Sequence, residues 1–204
     1  GEERINIAQE SRNARSCEFC RERKQELSPY TLKGTHGEAG SLNEVTVDAV
    51  HRVVTDQERI TQRFVDDIAQ QGISDAEYVE LVGVVVAVLS IDEFHRALGL
   101  PLEKLPAPVK GEPDYYRPAQ AVKDIGFVPT LRHDGATGNE ADLWSNDRTA
   151  NVLRALTLVP DALRHWRALA SAQYLSLEAM ANFGKSADRS IDRMQMELVA
   201  GRVS

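Results

Sequence analysis

The chain has 204 residues, with 31 acidic against 24 basic side chains and a formal net charge of −7. Its 42% hydrophobic and 27% charged content is that of a globular chain able to bury a core. The acidic balance excludes the basic footprint of a nucleic-acid binder, and the longest apolar run, Leu81 to Ile91, falls short of the roughly 18 residues of a membrane span, so neither partner is expected.

Residues 3–27 read as one helix, with Ile5, Ala8 and Arg12 on a face and no Gly or Pro before Pro29. Within it, Cys17 and Cys20 are the only cysteines of the chain. On a helix, positions three apart share a face, so the two sulfurs sit one turn apart. The pair supports three readings: a redox dithiol, half of a zinc site, or two buried thiols. A zinc site needs four ligands. No further cysteine exists, and no two of His36, His51, His95, His133 and His165 have zinc-finger spacing, so no metal and no cofactor are expected. Arg15, Arg21, Arg23 and Lys24 surround the pair, and cations stabilise a thiolate. Ser16 or Asn13 is a candidate N-cap for a helix opening just before Cys17, which would make Cys17 the lower-pKa thiol. Glu10, two turns before Cys17 on a continuous helix, is the first candidate proton acceptor and Glu3 the second. A catalytic dithiol suits a reducing compartment, so a cytoplasmic location is expected.

Gly34, Gly37, Gly40 and Ser41 mark residues 33–44 as a mobile surface loop. A helix is predicted from about Thr46 through His51 to Val54, with His51 on its surface. Thr55 to Glu58 has the form of a capping box opening an amphipathic helix with Ile60, Phe64, Val65 and Ile68, which Gly72 ends. Ser74 to Glu77 is a second capping box. It opens a helix over about Asp75 to Leu98, apolar nearly all round and therefore central to the core, closed by Gly99 and Pro101. Residues 103–147 are rich in Pro and Gly and read as a linker or lid, in which Tyr115, Tyr116 and Phe127 are expected to dock. Helices resume at about Thr149, from Asp161 to Met180, and from about Ala187 to the end, with a break at Gly184 to Ser186. No strand pattern emerges, so the fold class is all-α. The predicted organisation is a dithiol-bearing helical unit (1–102), the connection (103–147) and C-terminal helices (148–204).

The run Gly72-Ile73-Ser74-Asp75-Ala76-Glu77-Tyr78-Val79-Glu80-Leu81-Val82, the hydrophobic helix after it, Ala97-Leu98-Gly99-Leu100-Pro101 and the upstream Cys-x-x-Cys together resemble the alkylhydroperoxidase/carboxymuconolactone decarboxylase family, in its peroxidase-related branch. Asn151 to Pro160 resembles the family's opening helix, and Met196 to Ser204 its Glu-bearing helix, with Glu197 either a relay group or a surface charge. That order suggests a tandem two-domain protein cut inside its second unit, or a permuted or intersubunit arrangement. The resemblance implies an alkylhydroperoxidase-like helical bundle, usually oligomeric. It also implies a thiol-dependent reduction of a small or organic peroxide, with Cys20 attacking, Cys17 resolving and an external thiol or protein reductant restoring the pair. Phe19 and Lys24 stand where the family's relay histidines fall, which leaves His51 or His95 to approach in space. The alternatives are an inactive helical assembly module of the same fold, and a decarboxylase-branch enzyme, against which the paired cysteines argue.

Overall fold

The computed structural model describes residues 1–37, 40–144, 150–176, 179 and 189–203. Among these the chain is all-α. The one strand-like feature is an isolated antiparallel bridge between Val122 and Thr130. The helices are α1 (Glu2–Ala14), α2 (Glu18–Gln25), α3 (Glu44–Thr55), α4 (Gln62–Gln70), α5 (Asp75–Ala97), α6 (Asn151–Arg154), α7 (Pro160–Gln173) and α8 (Arg193–Val203). No described helix is long and apolar enough to cross a membrane. Two compact units divide between Leu163 and Arg164, rather than at the boundaries near 102 and 147 that composition suggests.

The first unit is built on α1, α3 and α5, which pack against one another, with α2 laid on α3. Ile7, Ala8 and Ala14 of α1, Val47, Ala49 and Val50 of α3, and Tyr78, Leu81 and Val85 of α5 form the core between them. A bidentate ion pair fastens α1 to α5: Arg12 donates from Nε (2.9 Å) and from its second guanidinium nitrogen (2.7 Å) to the two oxygens of the buried Asp92. Asp92 follows Val85 by seven residues, about two helical turns, so the register of α5 carries it on the same inward face as Tyr78, Leu81 and Val85. Val79 is buried as well, while Val82, Val84, Val86 and Val88 of α5 stay half-buried.

The capping box at Ser74 forms as its residues dictate. Ser74 Oγ accepts from the Glu77 backbone N–H (3.3 Å) and Glu77 accepts from that of Ser74 (2.8 Å). Gly72, at φ +102°, ends α4, letting the Ile73 N–H reach back to the Ile68 carbonyl (3.1 Å). The box expected at Thr55 does not form. Thr55 Oγ1 instead donates to the His51 carbonyl (2.7 Å), Asp56 is taken by Arg59, and α4 begins only at Gln62. The helix expected over 3–27 is two helices, broken at Arg15 to Cys17; neither Ser16 nor Asn13 caps the second, whose N-cap is Cys17 itself.

The Pro/Gly-rich connection packs, but not by burying its aromatic rings, although the Tyr116 hydroxyl donates to the buried Glu140 (2.5 Å). Tyr115 is 77% exposed, and Tyr116 and Phe127 also remain exposed, whereas Val128, Leu131 and Leu143 are buried. Arg154 of α6 ties it down, donating to Asp124 (2.7 Å), Thr130 Oγ1 (2.8 Å) and the Leu131 carbonyl (3.1 Å). In the second unit, α8 starts at Arg193 rather than near Ala187; the expected break at 184–186 lies outside the described residues.

Candidate functional site

Four separate stretches of the first unit converge on the cysteines. The break between α1 and α2 leaves Cys17 at the N-cap of α2 with extended backbone (φ −66°, ψ 121°), half-buried, and Cys20 one turn in and 3% exposed. Neither is in a disulfide. From α3, His51 presents Nδ1 to Cys20 Sγ at 3.1 Å, and its Nε2 lies 2.7 Å from Glu10 Oε1 on α1. Both members of that His–Glu pair are fully buried. From the loop before α3, His36 places Nδ1 at 3.5 Å from both sulfurs and Nε2 at 2.9 Å from Asp48 Oδ1. Asp48 and His51 are three apart on α3, so one face of that helix carries both. Arg23, one turn after Cys20 on α2, donates to Asp48 (2.5 Å) and lies 3.6 Å from Cys20 Sγ.

Each cysteine thus has an imidazole, and each imidazole has a carboxylate. The two rings are themselves in contact, with centroids 4.0 Å apart. Their charges differ. Burial disfavours the His36 cation, but hydrogen bonds to Asp48 and to both sulfurs outweigh it and raise its pKa to about 10, so both ring nitrogens donate. Burial dominates at His51 and, with repulsion from His36, outweighs the pull of Glu10, so its pKa falls and the ring is neutral. In that state Nε2–H donates to Glu10 and Nδ1 accepts from Cys20. At Cys17, burial raises the thiol pKa, and hydrogen bonds from His36 and around Cys20 more than reverse it, giving a net lowering. Asp48 is pushed down to about 2: burial opposes ionisation, but hydrogen bonds from His36 and Arg23 prevail.

A cavity of about 580 Å³ opens beside the cluster, lined among others by Phe19, Arg23, Tyr30, His36, Asp48 and Arg52. It meets the site at His36 and Asp48, not at the sulfurs. Arg52 is buried against the Phe64 ring at 5.0 Å and donates to the Arg59 carbonyl (3.0 Å).

Of the residues singled out from sequence, Cys17, Cys20 and Glu10 come together here. Glu10 does so by tertiary packing through His51, not along a continuous helix. Glu3 sits exposed in the first turn of α1, with no described bond to the cluster. His51, read from sequence as a surface histidine but also as one of two that could approach the thiols in space, is wholly buried and reaches Cys20, because Val47 and Val50 draw that face of α3 into the core. His95 stays away, bonded to the Pro101 carbonyl (2.7 Å). His36 and Asp48 were not anticipated. The loop carrying His36 reads as mobile from its glycines, yet the His36 side chain is only 7% exposed. The one sequence signal for Asp48 and His51 was their three-residue spacing on a valine-rich helix. Glu197, in the second unit, bonds Tyr174 and Arg193 at the surface. Compared with family models, curated proteins and solved structures, the chain matches none of them.

Proposed function

We propose that the first unit is a dithiol oxidoreductase of the alkylhydroperoxidase-like kind, reducing a small or organic peroxide with Cys17 and Cys20. The observation that carries this reading is the buried chain Cys20–His51–Glu10, at 3.1 and 2.7 Å, set beside a second thiol that solvent can reach. Cys17 is the attacking group, because it is the more exposed sulfur and the His36 imidazolium faces it. Its thiolate takes the distal peroxide oxygen, the O–O bond breaks, and the leaving alkoxide takes a proton, giving an alcohol and a sulfenic acid at Cys17. His51 Nδ1 then accepts the Cys20 proton while Glu10 holds the ring by Nε2–H. Cys20 sulfur displaces hydroxide from Cys17 as water, closing the disulfide. Two thiols and one peroxide become one disulfide, one alcohol and one water; an external thiol or protein reductant returns the two electrons. The cavity at His36 has room for the organic part of such a substrate.

The test is thiol counting by mass spectrometry on reduced, metal-free protein after one equivalent of peroxide. Wild type is expected to lose both thiols to an intramolecular disulfide far faster than free cysteine reacts, and Cys20→Ser to accumulate a dimedone-reactive sulfenic acid at Cys17. Thiols that react no faster than free cysteine would overturn the reading. A sulfenic acid trapped at Cys20 in Cys17→Ser, with none in Cys20→Ser, would reverse the two roles.

A further inference from the structure

Four donor atoms meet in this cluster: Cys17 Sγ, Cys20 Sγ and one ring nitrogen each from His36 and His51, all within 4.8 Å of one another. We propose that they form a tetrahedral Cys2His2 site for Zn2+, whose occupancy and the Cys17–Cys20 disulfide exclude each other. The sequence argues against zinc only because His36 and His51 lie outside zinc-finger spacing; the fold removes that objection by bringing a loop and a helix together.

Three observations carry the proposal. The first is distance. Zinc bonds of about 2.3 Å to sulfur and about 2.05 Å to nitrogen give a tetrahedral S···N edge of about 3.6 Å. Three of the four S···N separations are 3.5 Å (Cys17–His36), 3.5 Å (Cys20–His36) and 3.1 Å (Cys20–His51), and every remaining edge is within 4.8 Å, so movements on the order of 1 Å would seat an ion. The second is the outer shell. Both histidines turn Nδ1 inward and give Nε2 to a carboxylate, His51 to Glu10 and His36 to Asp48. That is the arrangement that fixes the tautomer and orientation of metal-binding imidazoles. The third is enclosure. Cys20 and His51 are buried and His36 nearly so, which suits a closed four-ligand site rather than one with an open position for substrate. Thiolate with imidazole is a donor set for zinc rather than for magnesium or calcium.

Binding exchanges two protons for the ion: the Cys17 thiolate–His36 imidazolium pair gives up the His36 Nδ1 proton and Cys20–SH gives up its own, so that two thiolates and two neutral imidazoles hold Zn2+ and two H+ are released. Oxidation removes both sulfur donors at once. Zinc bis-thiolate, one peroxide and two protons become disulfide, free Zn2+, alcohol and water. The metal site itself does not depend on the peroxide reading; only this release step does.

The probe is Co2+, titrated anaerobically into the reduced full-length protein, followed by Zn2+. One equivalent is expected to give thiolate-to-cobalt charge-transfer absorption and the intense visible bands of a tetrahedral ion, both abolished by Zn2+. Cys20→Ser and His51→Gln, each checked for helicity by circular dichroism, are expected to weaken binding at least about 100-fold. Glu10→Gln, which touches no metal, is expected to weaken it by about 10–100-fold. Absence of thiolate-to-cobalt bands in wild type would overturn the site, as would identical bands in Cys20→Ser. Zinc release by peroxide, read with a chromophoric chelator, is scored separately. Cobalt bands with no peroxide-driven release would leave the metal site standing and overturn the release step, whereas rapid peroxide-driven thiol loss in the metal-free protein without cobalt bands would leave the peroxide reading standing and sink the metal site.

Discussion

Two glutamates invite comparison, each on a helix that the sequence connects with proton relay. Glu10 on α1 is wholly buried and meets the equally buried His51. Glu197 on α8 is 46% exposed and meets Tyr174 and Arg193 at a surface. Both are hydrogen-bonded carboxylates, yet their consequences differ. In a dry site the His51–Glu10 bond fixes which ring nitrogen carries the proton, and so leaves Nδ1 free to accept from Cys20. At the surface, water competes for every bond Glu197 makes, the one from Tyr174 included, and none of its partners is a thiol or an imidazole. Burial of the partner, not the presence of a glutamate on a helix, separates a candidate catalytic group from a charge.

That contrast can be broken or sharpened by substitution. The largest effect is expected at another buried carboxylate of the first unit, Asp92. Asp92→Ala leaves Arg12 facing the core unpaired, and should cost about 3–5 kcal/mol, read from urea unfolding followed by circular dichroism. A loss below about 1 kcal/mol would mean that buried partners here matter no more than exposed ones. Next, Glu10→Gln keeps the size and one hydrogen bond but removes the charge that orients His51. Disulfide formation in the peroxide assay should slow by on the order of 100-fold, with the helical content unchanged. An unaltered rate would place Glu10 beside Glu197. Ser74→Ala is smaller: it removes the N-cap of α5 and should lower stability by about 1 kcal/mol without altering thiol reactivity. Glu197→Gln completes the set, with both the unfolding midpoint and the disulfide rate expected to stay at wild-type values. A slowed rate in that variant would contradict the comparison from the other side.

Much of the helical frame was legible in the residues. The Ser74–Glu77 box, the apolar run after it and Gly72 before it gave the end of α4 and both ends of α5 nearly to the residue, because capping and left-handed C′ geometry are set by side chains within one turn. The same local logic failed at Thr55, where the pattern of a capping box was present but Arg59 and the His51 carbonyl held its members in other bonds. It failed again at Arg15 to Cys17, where good helix formers gave way to a break that swings Cys17 and Cys20 toward α3. Tertiary contacts outweigh propensity by more than the few tenths of a kcal/mol per residue that distinguish such residues.

The sequence by itself determined the all-α class, the central capped helix, and the pair of thiols one turn apart with cations around them. Those depend on composition and on neighbours within a few residues. Only the tertiary structure decided what the thiols face. Glu10, His36, Asp48 and His51 come from two helices and a loop, and no local spacing relates them to Cys20. They meet because α1, α2 and α3 bury their apolar faces together, and that packing draws polar side chains on the same faces into one cluster. Its buried members, Glu10, His51 and Cys20, must satisfy one another's hydrogen bonds.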